Sequence, residues 1–136
     1  MADRIDGNPP TVLVVEDEFI IALDLTETVQ DLGYAIDGPY ADRETALQAI
    51  SQSLPDCAIL DVNIRDGLVY PLADVLAERG VPIIFHTSQA EPQEMKARYP
   101  RALACPKPYR LNALAETLQC ALGLQQQSAS TDRSAA

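Results

Sequence analysis

The chain has no run of about 18 uncharged apolar residues, and no cationic N-terminal segment leads into an apolar stretch of signal length. A membrane-crossing helix and a secretory leader are therefore not expected, and membrane contact would come only through a partner. Basic charge is scarce. Ten Lys and Arg stand against twenty Asp and Glu, and the formal net charge of -10 argues against a phosphate-backbone partner, so no direct nucleic-acid binding is expected. Cysteine is limited to Cys57, Cys105 and Cys120, an odd number without any C-x-x-C spacing. Two of the three lie in apolar segments as small core residues would, and the usage reads as that of a reducing, cytoplasmic protein rather than a disulfide framework. No glycine-rich loop follows the first apolar run, which sets aside a flavin or nucleotide carrier.

What is present fits one domain. A chain of 136 residues with 47% hydrophobic and 22% charged residues has room for a single core. Residues 1–10 are polar and end in Pro9-Pro10, and residues 124–136 carry few large apolar groups, so both segments are expected to be flexible and the folded domain to span 11–123. Between them, short apolar runs alternate with helical periodicity. Thr11 to Val15 is a strand, followed by a helix whose Ile21, Leu25, Val29 and Leu32 share a face and which Gly33 ends. Tyr34 to Asp37 is a second strand, broken by Gly38-Pro39 before a helix from about Asp42 with Ala46, Leu47 and Ile50 on one side. Asp56 to Leu60 is a third strand. A loop through Asp66-Gly67 leads to a helix carrying Leu72, Val75 and Leu76 and stopped by Gly80. Val81 to Phe85 is a fourth strand, Glu91 to Arg98 a short polar helix ended by Pro100, Ala102 to Cys105 a fifth strand, and Leu111 to Leu122 a last helix.

Five strand-helix units with continuously apolar strands predict an α/β fold: a parallel five-stranded sheet covered on both faces, a flavodoxin-like three-layer (βα)5 sandwich with strand order 2-1-3-4-5. Ligands of such folds bind outside the carboxyl ends of the strands. The chemistry-bearing residues stand there. Glu16 and Asp17 follow the first strand, Asp61 the third, Thr87 the fourth and Lys107 the fifth. Concentrated carboxylate at the edge of an apolar sheet is costly without a cation, which suggests a site for a hard metal ion such as Mg²⁺. Taken singly, each residue has a plainer reading: acids at a helix start, a strand-end acceptor of loop amides, a turn-forming threonine, a surface lysine. Their joint placement favours one site.

In these positions the chain resembles the receiver domains of bacterial two-component response regulators, over about residues 10 to 123. The pattern is an acidic pair (Glu16-Asp17), an aspartate after the third strand (Asp61), a hydroxyl residue after the fourth (Thr87) and Lys107-Pro108 after the fifth. The resemblance implies that Asp61 accepts a phosphoryl group from a histidine kinase or histidine phosphotransfer protein. It implies Mg²⁺ held by Asp17, Asp61 and the backbone carbonyl of Asn63, with Glu16 reaching it through water. Lys107 would face the phosphoryl oxygens, and Thr87 would bond one of them after transfer. A protein of this kind is a signalling phosphoacceptor that catalyses only its own phosphorylation and dephosphorylation. The start of the first helix, near Glu18 and Phe19, is the expected kinase-docking surface.

Several features depart from the family. The position three residues before Lys107, where many receivers carry an aromatic, is Ala104. Phe85-His86-Thr87-Ser88 matches only in part the Phe-Ala-Thr-Gly signature of receivers paired with one alphaproteobacterial kinase class. If Thr87 points into the pocket, alternation along the strand turns His86, the only histidine, elsewhere, with a structural role. The segment from Thr87 to Lys107 is expected to be mobile, and Asn63 and Gln89 to influence access of hydrolytic water. The polar residues after 123 suggest a stand-alone receiver acting through an unknown downstream protein or as a phosphate sink. A homodimer through the fourth and fifth elements is compatible with the fold but rests on no particular residue. Two rivals stand beside this reading: a degenerate receiver that binds without being phosphorylated, and an aspartate-nucleophile phosphatase of the haloacid dehalogenase type. The latter normally carries its nucleophile after the first strand and a second acid where this chain has Asn63. In the metal-free pocket, one carboxyl is expected to titrate above its ordinary value, with Lys107 holding part of the excess charge.

Overall fold

The computed structural model describes residues 7–88 and 93–127. Its elements follow in the order β1 (Thr11–Val15), α1 (Phe19–Asp31), β2 (Ala35–Tyr40), α2 (Arg43–Gln52), β3 (Cys57–Leu60), β4 (Asn63–Ile64), β5 (Gly67–Leu68), α3 (Tyr70–Glu78), β6 (Ile83–Thr87), α4 (Gln93–Arg98), β7 (Leu103–Pro106) and α5 (Leu111–Gln127). The main sheet is parallel and runs β2-β1-β3-β6-β7, while β4 and β5 form a small antiparallel hairpin apart from it. Leaving the hairpin aside, this is the 2-1-3-4-5 order expected of a flavodoxin-like (βα)5 fold.

Alternation along the central strands divides the core into two layers. Leu13, Val15, Leu60 and Phe85 face the side covered by α2, α3 and Met95 of α4, where Ile50, Leu72 and Leu76 meet them. Val12, Val14, Ile59 and Ile84 face the other side, against Leu25 and Val29 of α1 and Leu114 and Leu118 of α5. Strands buried on both faces need apolar residues at every position, which is why β1 and β3 read as unbroken runs. α2 starts where Asp42 accepts the Thr45 N–H at 2.8 Å, an N-cap that satisfies one of the helix's free donors.

The structure differs from the sequence reading at several boundaries. Gly38-Pro39 does not end β2; the strand continues to Tyr40 through an irregularity, with Leu13 opposite Asp37 but Val15 opposite Tyr40. Gly38 makes this possible. Its φ is +122°, and an added Cβ would lie 2.7 Å from the Val14 carbonyl oxygen. The extra residue in β2 brings the Tyr40 carbonyl to the Glu16 N–H at 2.8 Å. The Asp66-Gly67 loop is the turn of the β4–β5 hairpin. The Asp66 carboxylate accepts the Arg43 and Glu44 N–H groups, at 2.8 and 3.2 Å, and so ties the hairpin to the start of α2. β6 begins later and runs further than expected, taking in His86 and Thr87, which pair with Cys105 and Pro106 of β7. α5 extends to Gln127, beyond 123. The expectations for residues 1–6, 89–92 and 128–136 lie outside the described residues.

Replacing Gly38 by alanine is expected to destabilise the fold by roughly 2–3 kcal/mol, through both the positive φ and the Val14 contact. Urea denaturation followed by circular dichroism checks this; an unchanged midpoint would mean that β2 relaxes without cost.

Candidate functional site

Parallel pairing carries the strand ends to one edge in register. Val15 lies opposite Leu60, so the next residues, Glu16 and Asp61, emerge side by side. The ladder extends one step into the site, with the Asp61 N–H donating to the Val15 carbonyl at 2.9 Å and the Lys107 N–H to the Thr87 carbonyl at 3.0 Å. Three backbone bonds, counting Glu16 to Tyr40, thus hold the site residues before any side chain is considered. The long Lys107 side chain reaches back from beyond β7. Its Nζ lies 2.9 Å from Glu16 Oε1 and 3.2 Å from Asp61 Oδ2.

Glu16 is 2% exposed and Asp61 8%. Carboxylates this far from water need partners, and Lys107 supplies one ammonium for both. Burial first, and the neighbouring Glu16 charge second, push the Asp61 carboxyl above the usual aspartate range, with Lys107 opposing the shift. Burial works against the Lys107 ammonium, but its hydrogen bond to Glu16 and the charge of Asp61 outweigh that and hold its pKa above the ordinary lysine value. The carboxyl expected to titrate high is therefore Asp61.

Asp17, half-buried, completes an acidic group. Glu16, Asp17 and Asp61 each offer an oxygen, and these lie within 4.8 Å of one another. An all-oxygen donor set with more negative charge than one lysine balances fits a hard divalent cation. Asn63 opens β4 two residues past Asp61, with its side chain exposed, and Thr87 sits half-buried at the end of β6. Gln89 lies outside the described residues.

His86 departs in part from the sequence reading. It alternates away from Thr87, toward Tyr109, whose ring centroid is 6.0 Å away. It is not remote from the pocket, however: Nδ1 lies 4.0 Å from Glu16 Oε1, and the ring is 2% exposed. Neither ring nitrogen has a hydrogen-bond partner among the described residues. Burial and the nearby Lys107 charge lower its pKa to about 4, so it packs beneath the site as a neutral ring. Two further contributors were not foreseen. The Tyr40 carbonyl depends on an irregular strand with no sequence mark beyond Gly38-Pro39. Tyr109 stands immediately after Lys107-Pro108, and its hydroxyl bonds Asp24 and Thr28 of α1, each at 2.6 Å. That adjacency was the available signal. Ala104 lies opposite Phe85 on β7 and is exposed, so no aromatic occupies that strand position.

Residues 12–119 match the family model described as the response regulator receiver domain. The chain belongs to this family. It is 33% identical over 119 residues to the transcriptional regulatory protein PdtaR of Mycobacterium tuberculosis, covering 84% of this chain and 57% of PdtaR. It is 30% identical over 118 residues to the phyllosphere-induced regulator PhyR of Methylorubrum extorquens, covering 85% and 44%. Among solved structures, the signal receiver domain of a modulated diguanylate cyclase from Desulfovibrio desulfuricans superposes with a TM-score of 0.78 at 26% identity, covering 88% of this chain and 98% of that one. The chain spans about half the length of the curated relatives it matches. No helix among the described residues is long and apolar enough to cross a membrane.

Asp61 gives this receiver a pH-dependent liability. A carboxyl whose pKa is raised on folding costs nothing below its unfolded value and destabilises progressively as pH rises through the folded one. In metal-free buffer, Asp61→Asn is expected to be more stable than the parent at neutral pH, with the difference vanishing below about pH 4, where both forms are neutral. Thermal unfolding across pH checks this, and a difference that persists in acid would mean that the effect is not electrostatic.

Proposed function

We propose that this receiver takes a phosphoryl group onto Asp61 from a histidine kinase or a histidine phosphotransfer protein and signals through protein contacts that change with that modification. The observation that carries the reading is the bridging of Asp61 and Glu16 by one lysine at the edge where Asp17 follows β1 and Thr87 ends β6. Of the two strand-end carboxylates in contact with Lys107, Asp61 is the nucleophile because its side chain keeps the greater exposure, 11% against 1% for Glu16. Glu16, Asp17, Asp61 and the Asn63 carbonyl are the groups that would hold Mg²⁺. When bound, the ion neutralises the carboxylates and the phosphoryl oxygens, so that attack by a negatively charged nucleophile becomes feasible.

The remaining roles belong to the chain's own side chains. Lys107 exchanges carboxylate oxygens for phosphoryl oxygens as partners, which its long stem permits without moving β7. Thr87 donates its hydroxyl to a phosphoryl oxygen and is drawn inward. Because the Thr87 carbonyl accepts the Lys107 N–H, that movement passes to the Lys107-Pro108-Tyr109 segment and then, through the Tyr109 hydroxyl, to Asp24 and Thr28 of α1. α1 also carries Phe19 and Ile20, each 77% exposed, and the partly exposed Leu23, beside Asp17. Large exposed apolar side chains next to the acceptor suit the docking of a phosphodonor helix bundle. Signalling through a downstream partner and competition for phosphoryl groups are both compatible with this chemistry.

Incubation with acetyl phosphate and Mg²⁺, read by intact mass, is expected to add one phosphoryl group, and the adduct is expected to be lost in Asp61→Ala and on chelation. Lys107→Met is expected to slow its formation by about a hundredfold, the usual loss for one preorganised charge donor. An intact donor with no adduct, even when a phosphorylated histidine phosphotransfer protein is supplied, would point to a degenerate receiver. Multiple-turnover consumption of donor without an adduct would point to a phosphatase.

A further inference from the structure

At the opposite edge of the sheet from Asp61, where the chain enters β6 and β7, lies a cavity of about 340 Å³ between the end of α3 and the segment that follows α4. Its apolar lining includes Val81, Ile83, Tyr99 and Ala102, and Arg98 and Arg101 complete it. The volume falls within the range of small-ligand pockets, roughly 300–1,000 Å³, at its low end. The two arginines are not equivalent. Arg98 is committed, with Nη2 2.6 Å from Asp74 Oδ2 and its guanidinium 5.4 and 5.5 Å from the ring centres of Tyr70 and Tyr99. Arg101 has no hydrogen-bond or acidic partner among the described residues, although the chain carries twice as many acidic as basic residues.

An uncommitted guanidinium beside an apolar recess is complementary to a particular chemistry: a compact apolar body ending in one anionic group that accepts the planar N–H donors. We propose that this cavity is a second ligand site, separate from the acidic pocket, which takes a small organic anion of that kind, an aryl or branched aliphatic carboxylate, with Arg101 as its charge partner. The small volume favours a free small molecule over an inserted protein segment. Its position gives occupancy a structural reach. Tyr99, which forms one wall, lies 5.5 Å ring to ring from Phe85 of β6, two residues before Thr87. The Tyr99 hydroxyl also bonds Asp74 at 2.6 Å and the Tyr70 carbonyl at 3.2 Å, so the wall is fixed to α3. An occupant therefore meets a preformed surface and has little ordering to do.

The test is an amide NMR titration of the ¹⁵N-labelled chain with benzoate, with its uncharged isostere benzamide and with a capped glutamyl-phenylalanine peptide. Benzoate is expected to give saturable shifts at Gly80, Ile83 and Ala102. Arg101→Gln is expected to weaken that binding about tenfold or more, as loss of a charged hydrogen-bond partner does, and benzamide to bind more weakly by a similar factor. Arg101 is exposed, so this variant is expected to fold as the parent does. No saturable shift with benzoate, equal binding of benzamide, or unchanged affinity in Arg101→Gln would each overturn the proposal. Tighter binding of the peptide than of benzoate would overturn it in favour of a protein segment as occupant.

Discussion

The Lys107 ammonium, in contact with both Glu16 and Asp61, is the interaction on which the rest of the site depends. Two carboxyl groups almost without solvent would otherwise repel one another in a medium that screens them poorly, and removing the partner of a buried charge costs several kcal/mol. Lys107 meets this only in part. The Asp61 carboxyl remains pushed upward, so the metal-free site is a compromise rather than a satisfied network. That residual imbalance fits a site built for a further cation. It also explains why the strand ends are locked by backbone bonds from Tyr40, Val15 and Thr87: a repulsive cluster keeps its geometry only if the scaffold imposes it.

The parts of this arrangement that were legible in the sequence follow from short-range rules. Continuous apolar runs in β1 and β3 mark strands buried on both faces, strands of that kind must be parallel and covered by helices, and their carboxyl ends must then share an edge. Glu16, Asp17, Asp61, Thr87 and Lys107 could be assigned to one place on that logic alone, before any contact was known. What was not legible depends on distant partners. Gly38-Pro39 has the composition of a strand breaker, yet β2 continues because Tyr40 gains a ladder position beside Val15 and Glu16. Asp66-Gly67 has the composition of an open loop, yet its carboxylate caps a helix more than twenty positions earlier in the chain. Local propensity is overruled in both cases by a hydrogen bond to a residue that no sequence window contains. For His86, period-two alternation correctly separates it from Thr87, but says nothing of how near the back of the pocket the opposite face comes.

α4 shows how a six-residue helix of low intrinsic stability is kept in place. Its anchors are one residue in its middle and one just past its end. Met95 enters the core, and Tyr99 stacks on Tyr70 with ring centres 5.9 Å apart while also meeting Phe85. Asp74 accepts from both the Tyr99 hydroxyl and Arg98, and these bonds hold its carboxyl below the usual range. Ala104, opposite Phe85 on β7, has no ring to offer, and the aromatic contact to Phe85 comes from Tyr99, the residue after α4, and from Tyr70 of α3.

Any movement of Thr87 would consequently meet contacts of different kinds on two sides. On the face of α3 and α4 it meets Phe85, fixed among the rings of Tyr70 and Tyr99, where displacement must repack close-fitting aromatic surfaces. On the face of α1 it meets the Lys107 to Tyr109 segment, tied to Asp24 and Thr28 through a single hydroxyl in partly exposed surroundings. Hydrogen bonds near solvent exchange partners at little net cost, whereas a packed aromatic cluster resists small shifts and yields only as a unit. The compliant side is therefore α1, which also presents Phe19 and Ile20 to solvent just past Asp17. A change at Asp61 would alter first the surface nearest to it, and the α4 side only if the aromatic cluster is released as a whole.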